Sequence, residues 1–278
     1  MKYKIEKNTV QETLMIPLYA RAMCSTLFPH LYQDKSAARL IDRIDYDFSA
    51  AVKKSGSLMQ RFGFLEVAMR QYDMACEIRD YLKLHPNAAV VNLGCGLDNT
   101  AAACDNGMCK IFNLDFPDVI AVRNALLPPG NREQNIPCDL NDTAWFQKID
   151  ASGGAVFFAS GVFYYFLADQ VTALVLAMEK AFPSGRLVFD AAGKTAVKMI
   201  AKTWLKAASI KNVNAYFSVS DLGALSDRGG RIGVTCRGYM LGYHDLNDPS
   251  VGRFFRLLAK FGDRVMKMQI VRLDFGGV

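Results

Sequence analysis

Apolar residues recur three and four positions apart through 11–27, 36–44 and 65–84, the spacing of helices with one buried face. From Ala88 the texture changes. Short apolar runs stand at 88–93, 110–114, 155–159 and 186–190, and helical periodicity at 118–127 and 170–182 separates several of them. Strands alternating with helices build βαβ units on a parallel sheet. A weaker strand over 133–138 falls between the second and third of these units. A short helix at 142–148, helices at 195–209 and 250–261, and strands at 232–241 and 266–275 complete the pattern. Seven strands result, the last two hairpin-like. At ~150 residues per domain, 278 residues allow two domains. The pattern instead predicts a helical N-terminal lid segment, 1–85, over a doubly wound domain, 86–278, forming a single functional unit.

One segment breaks the rhythm. Residues 151–168 run for 18 positions without a charge, at the lower limit of a membrane span. The Gly153-Gly154 pair, Gly161 and the Phe/Tyr clustering fit a buried strand turning into a loop better, so no membrane span is expected. The start, MKYKIEKNTVQETL, lacks the apolar core of a secretory signal. Seven cysteines without a CxxC pair read as reduced thiols of a cytoplasmic protein. Hydrophobic residues at 51% and charged ones at 22% exclude a disordered or fibrous chain. The net charge of +6 is spread without a Lys/Arg block, which is too weak for a nucleic-acid partner. With no HxxxH and no His/Cys pairing, no metal centre is expected.

The chemistry concentrates where the first strand of the βαβ region ends. The run 88–98, AAVVNLGCGLD, takes an apolar strand into the turn Gly94-Cys95-Gly96. Glycines there allow a tight reversal and a close approach of the backbone to a ligand. Asp115 ends the next strand, 19 residues beyond Gly96, where a carboxylate can accept both ribose hydroxyls of an adenosine-containing cofactor. A dinucleotide fingerprint would carry glycine at 99, but Asn99 stands there, and Asp98 would repel a pyrophosphate. An acidic turn suits a ligand with a positive centre, such as S-adenosylmethionine with its sulfonium and ammonium; a nicotinamide-dependent oxidoreductase is the weaker alternative. Asp139 and Leu140 end the third strand, where the acid can accept from an adenine amino group and the leucine pack on the ring. The same Asp139 also reads as a loop or capping residue before the helix at 142–148.

The segments VVNLGCGLDNT, FNLDFPDVIAVRNALL and FFASGVFYYF, together with LMIPLYARAM, DKSAARLIDRIDYDFS and FLEVAMRQYDMACEIRDYL, resemble the leucine carboxyl methyltransferase family, on the side of its bacterial tetracenomycin-type polyketide O-methyltransferase branch. The resemblance spans roughly 10–190 and implies an α/β class I (Rossmann-like) methyltransferase: a seven-stranded, mostly parallel sheet with helices on both faces and a helical lid. It implies S-adenosylmethionine as cofactor and a small molecule as acceptor. Position by position, Arg70 matches an arginine pairing with the methionine carboxylate and Arg21 a second arginine in the N-terminal cover. Gly94, Cys95 and Gly96 match the cofactor turn, Asp115 and Phe116 the ribose region, Asp139 and Leu140 the adenine contacts, and Ser160 the end of the fourth strand. The chain departs from the family after the turn, where Asn99, Thr100 and Ala103 stand without the usual arginine. It departs again at Ser160, where a glutamate is common.

Methylation of a carboxylate needs no base, whereas a phenol or alcohol does. His85 precedes the first sheet strand, at the wrong end for catalysis. His30 belongs to the N-terminal loop FPHLYQD, and His244 reaches the ligand edge if the strand before it is parallel. His244, Tyr164 and Tyr165 are the catalytic candidates. The tyrosines of 161–166, GVFYYF, either line an apolar acceptor pocket or pack in the core. The expected function is O-methylation of a carboxylate or phenolic hydroxyl on a small, polyketide-like or other secondary-metabolite acceptor. The alternative is a catalytically weakened methyltransferase fold serving as a binding module.

Overall fold

Strands such as Ala89–Leu93 and Ala155–Ala159 are apolar on both sides of the pleat, which suits a sheet covered on both faces. The computed structural model describes residues 2–6, 9–49, 56–200, 217–223, 231–240, 246 and 248–276. The N-terminal segment contains β1 (Tyr3–Lys4), α1 (Val10–Thr13), α2 (Met15–Leu27), α3 (Lys35–Arg43), β2 (Ile44–Asp45) and α4 (Leu58–Leu84). The βαβ region runs β3 (Ala89–Leu93), α5 (Thr100–Ala103), β4 (Lys110–Asp115), α6 (Pro117–Leu126), β5 (Glu133–Pro137), β6 (Ala155–Ala159), α7 (Ala168–Ala181) and β7 (Arg186–Ala191). After it come α8 (Lys194–Ile200), β8 (Ile232–Gly238), α9 (Arg253–Arg264) and β9 (Gln269–Phe275).

The seven strands lie in the order β5-β4-β3-β6-β7-β9-β8. Only β9 is antiparallel to its neighbours. The order reverses between β3 and β6, so the carboxyl ends of those two strands flank the crevice where open α/β sheets bind ligands. Alternate residues face opposite sides. Val90, Ile111, Val156 and Val188 pack under α4, while Val91, Phe112, Phe157 and Leu187 pack against α7 and Trp145.

Helix α4 runs antiparallel to the sheet strands and positions the site. Near its end, the Tyr81 hydroxyl accepts from Ala155 N at the start of β6, whereas Arg70 lies against Gly161, beyond the end of β6. Its first turns therefore overhang the carboxyl ends of the strands.

The differences from the expected elements have local causes. Helix α4 begins at Leu58 rather than 65 because Ser57 caps it, accepting from Gln60 N. The 142–148 segment is a 3-10 helix, Thr143–Lys148, and Asp142 rather than Asp139 is its cap. Strand β9 starts at Gln269, after Lys267 takes a left-handed φ of 51°. The final helix is shifted to Arg253–Arg264, and the short pair β1-β2 and the single turn α5 have no counterpart in the pattern. The expected helix 195–209 is described only as far as Ile200. The uncharged stretch 151–168 is strand β6 running into the 3-10 turn Phe163–Tyr165; no helix among the described residues is long and apolar enough to cross a membrane.

Candidate functional site

Strand β3 delivers the chain to Gly94 at φ 63° and Gly96 at φ 47°, the left-handed region that disfavours any side chain. A Cβ at Gly94 would also stand 2.7 Å from Val162 Cγ2, so the turn is held hard against the loop after β6. Asp115 braces the turn. Its Oδ2 accepts from Gly96 N at 2.8 Å and its Oδ1 from Phe116 N at 2.8 Å. A carboxylate offers about four acceptor positions, so two remain for ligand hydroxyls. Burial lifts the Asp115 carboxyl above its ordinary range, while the two backbone donors pull the other way. The neighbouring Phe116 ring is 45% exposed, an apolar surface beside the acid.

The turn rests on a residue the sequence pattern did not single out. Arg123 of α6 is fully buried; its Nη1 donates to the carbonyls of Gly96 (3.1 Å) and Asp98 (2.7 Å), and its Nε to Asn135 Oδ1. The buried cation at the turn thus comes from α6. Asp98 does not face a ligand. Its carboxylate turns inward to accept from Thr100 N, the Thr100 hydroxyl and Asn92 Nδ2, just before α5. Asp98 thus braces the turn from within and does not select a positively charged cofactor, contrary to the expectation from its position.

A second group of side chains gathers at the ends of β6, β7 and β8. Arg70 Nη1 donates to Asp190 Oδ2 at 3.0 Å, and Gly161 N donates to Asp190 Oδ1 at 2.6 Å. Gly161 has φ 73°, and a Cβ there would approach Arg70 Nη1 to 3.2 Å; the glycine lets the guanidinium lie on the backbone. Burial works against the Arg70 charge, but Asp190, Tyr239 and Tyr164 more than offset it, so the group stays cationic. Its Nε–H is buried with no hydrogen-bond partner, and so is the Ser160 hydroxyl. Two orphaned polar groups at one sheet edge are the signature of a site that expects a polar ligand. Asp190 and Tyr239 complete the cluster; neither belongs to a motif, and the sequence reading missed both.

The other predicted residues separate. Arg21 is buried but already engaged, its Nε with Asp34 Oδ2 at 2.9 Å and its Nη2 with the Leu97 carbonyl at 2.7 Å. It ties α2 to the glycine turn and is not placed to pair with a cofactor carboxylate. Asp139 is exposed at the end of β5, and its Oδ1 accepts from both Asn141 N and Asn141 Nδ2, a local turn. Leu140 is buried in the core beside Trp145 rather than presented to a ring. The Cys95 side chain is buried, which pushes its thiol far above the ordinary range; all seven cysteines are free. Tyr164 is buried with its hydroxyl donated to Asp190, and burial pushes its pKa well up, whereas Tyr165 is 43% exposed. His85 lines a depression with Gly153, Gly154 and Ser184 at the amino ends of the strands, and His30 is exposed near Asp248. His244 lies outside the described residues. No cluster able to hold a metal ion occurs among the described residues.

This strand order, with one antiparallel strand and a glycine turn at the switch point, is the class I methyltransferase fold. The chain belongs to the leucine carboxyl methyltransferase family, whose model matches residues 15–179. Among characterised proteins it is similar to the tetracenomycin polyketide synthesis O-methyltransferase TcmP of Streptomyces glaucescens, 28% identical over 188 residues and 67% of each chain. It is also similar to the S-adenosyl-L-methionine-dependent methyltransferase dpfgK of Gibberella zeae, 24% identical over 215 residues and 72% of each chain. A Thermobifida fusca crystal structure classed among the methyltransferases matches 97% of this chain and 95% of its own, at TM-score 0.58 and 14% identity, a likeness of fold.

Proposed function

We propose that the protein is an S-adenosylmethionine-dependent O-methyltransferase acting on a carboxylate or phenolic hydroxyl of a small, polyketide-like or other secondary-metabolite acceptor. The observation that carries this reading is the turn Gly94-Cys95-Gly96, held open by positive φ angles and braced by an Asp115 carboxylate that keeps two acceptor positions. Membership of the methyltransferase family supports it, as does similarity to the O-methyltransferase TcmP and the S-adenosyl-L-methionine-dependent methyltransferase dpfgK.

The residues present fit the cofactor. Asp115 would receive the ribose hydroxyls, Phe116 would cover the adenine, and Asp139 offers its second oxygen at the end of β5. The unpartnered Arg70 Nε–H suits the methionine carboxylate, and the Ser160 hydroxyl the neighbouring ammonium. When bound, S-adenosylmethionine supplies a methyl group activated by its sulfonium. The protein's part is to align the acceptor oxygen behind that methyl and to exclude water, effects worth ~7–11 kcal/mol. Alignment falls to the turn and to Arg70; exclusion of water falls to the N-terminal segment 1–85, which acts as a lid stapled to the turn by Arg21. Tyr165, at the rim of the loop after β6, contributes to the acceptor surface.

The test is transfer of labelled methyl from S-adenosylmethionine to a panel of aromatic acids and phenols. Labelled product is expected. Cofactor binding with no transfer across the panel would instead identify a binding module built on the methyltransferase fold.

A further inference from the structure

Asp190 stands one step past the last β6–β7 pair, Ala159 with Phe189, which sets it level with Ser160 on the neighbouring strand. It continues the face of Val188, under α4, and is only 1% exposed. Three elements meet on its carboxylate: α4 through Arg70 Nη1 at 3.0 Å, the loop after β6 through Gly161 N at 2.6 Å, and the 3-10 turn that follows through the Tyr164 hydroxyl. A buried anion is costly unless it is paired and hydrogen-bonded, and this one is both. Arg70 is served unequally. Its Nη1 is engaged, and Gly161 backs the guanidinium, where a Cβ would fall 3.2 Å from Nη1 and 3.4 Å from Nη2. Its buried Nε–H has no hydrogen-bond partner among the described residues.

We propose that Asp190 is a positioning residue: it holds the Arg70 guanidinium so that the free Nε–H edge receives the carboxylate of the cofactor's methionine tail. Asp190 thereby sets the preference of the site for a ligand that carries this carboxylate. The proposal rests on the methyltransferase reading, and on the part given there to Arg70, and deepens both.

The donors of a guanidinium lie in one rigid plane, so engaging Nη1 also fixes the direction of Nε–H. A long side chain gives up rotamer freedom when a ligand fixes it; Asp190 fixes Arg70 beforehand, and the tail meets a donor already aimed. Both carboxylate oxygens are needed, since Oδ1 holds Gly161 N and Oδ2 holds Arg70. An asparagine offers one acceptor oxygen, so either Gly161 N or Arg70 would lose its partner. Tyr164 and Tyr239 also surround Arg70, but burial pushes both phenols well up, so neither is an anion at neutral pH.

The experiment uses the full chain and calorimetry with two ligands, S-adenosylhomocysteine and its decarboxylated form, which keeps the ammonium and lacks only the carboxylate. The wild type is expected to prefer the first at least tenfold, the scale of a charge-assisted hydrogen bond. Asp190→Asn is expected to bind S-adenosylhomocysteine at least tenfold more weakly, and the decarboxylated ligand within threefold of the wild type. A second arm does not depend on that variant. Arg70→Gln and the double variant Arg70→Gln/Asp190→Asn should bind S-adenosylhomocysteine within threefold of each other, because Asp190 has no guanidinium left to place. Weakening of both ligands alike by Asp190→Asn would show a merely structural role and overturn the proposal. Equal wild-type affinity for the two ligands, unchanged affinity in Asp190→Asn, or a double variant at least tenfold weaker than Arg70→Gln overturns it too. Wild-type protein that binds neither ligand would instead strike at the methyltransferase reading itself.

Discussion

Arg70 meets two demands with one guanidinium: it neutralises the buried Asp190 and keeps an unpartnered Nε–H at the sheet edge. The planar fork makes that division workable, and an ammonium would have to choose. Arg70→Lys is therefore expected to weaken binding of S-adenosylhomocysteine by about 1.5–3 kcal/mol, the scale of a charge-assisted hydrogen bond, as read by calorimetry; an unchanged Kd would remove Arg70 from the site. Gly94 carries a separate prediction. Gly94→Ala forces a side chain into φ 63° and towards Val162, which should cost about 1–3 kcal/mol in urea unfolding. Adding Val162→Ala should recover only the steric part. Gly94, Gly96 and Asp115 were legible in the sequence because strand, turn and acid lie within one βαβ unit and their spacing carries the geometry. Tyr239 and Asp190 were not, because their segments meet Arg70 only when α4 crosses the sheet ends.

Among the elements, α2 and α3 show how the N-terminal segment is fastened. Burial alone would raise the Asp34 carboxyl, but Arg21, the Ser36 hydroxyl and Ala37 N outweigh it and hold the group below its ordinary 3.8. A carboxyl depressed in the folded state stabilises above its unfolded pKa, and that contribution is lost as pH falls through the folded value. The stability gap between wild type and Asp34→Asn should thus be constant from pH 5 upward and shrink as pH falls below 3.8, measured by urea unfolding across that range. A gap independent of pH would mean that the staple is not ionic. The sequence pattern placed α2 and α3 correctly, whereas the family resemblance assigned Arg21 to a ligand. The carboxylate that takes it sits in the loop that caps α3, and periodicity says nothing about which loop residue reaches inward. Helix ends were missed for a related reason: Ser57 sets the start of α4 by a hydrogen bond, not by apolar spacing.

In the whole molecule, the sheet order was only partly legible. Seven strands and a closing hairpin-like pair could be read from short apolar runs, whereas the insertion of β9 between β7 and β8 follows from antiparallel pairing that no local pattern encodes. That order places the crevice between β3 and β6, and the N-terminal helices reach it through Arg21 on the Leu97 carbonyl and Arg70 on the tip of β6. Ligand binding at the turn should therefore slow backbone hydrogen exchange in 15–27 and 58–70 as well as around residue 95; protection confined to the turn would contradict a lid. The central claim is that the Gly94–Gly96 turn and Asp115 hold an adenosyl cofactor. Calorimetric titration with S-adenosylhomocysteine tests it most directly: one site per chain is expected in the wild type, with Asp115→Ala at least tenfold weaker. No heat at millimolar ligand, or an unchanged Kd in Asp115→Ala, would contradict it.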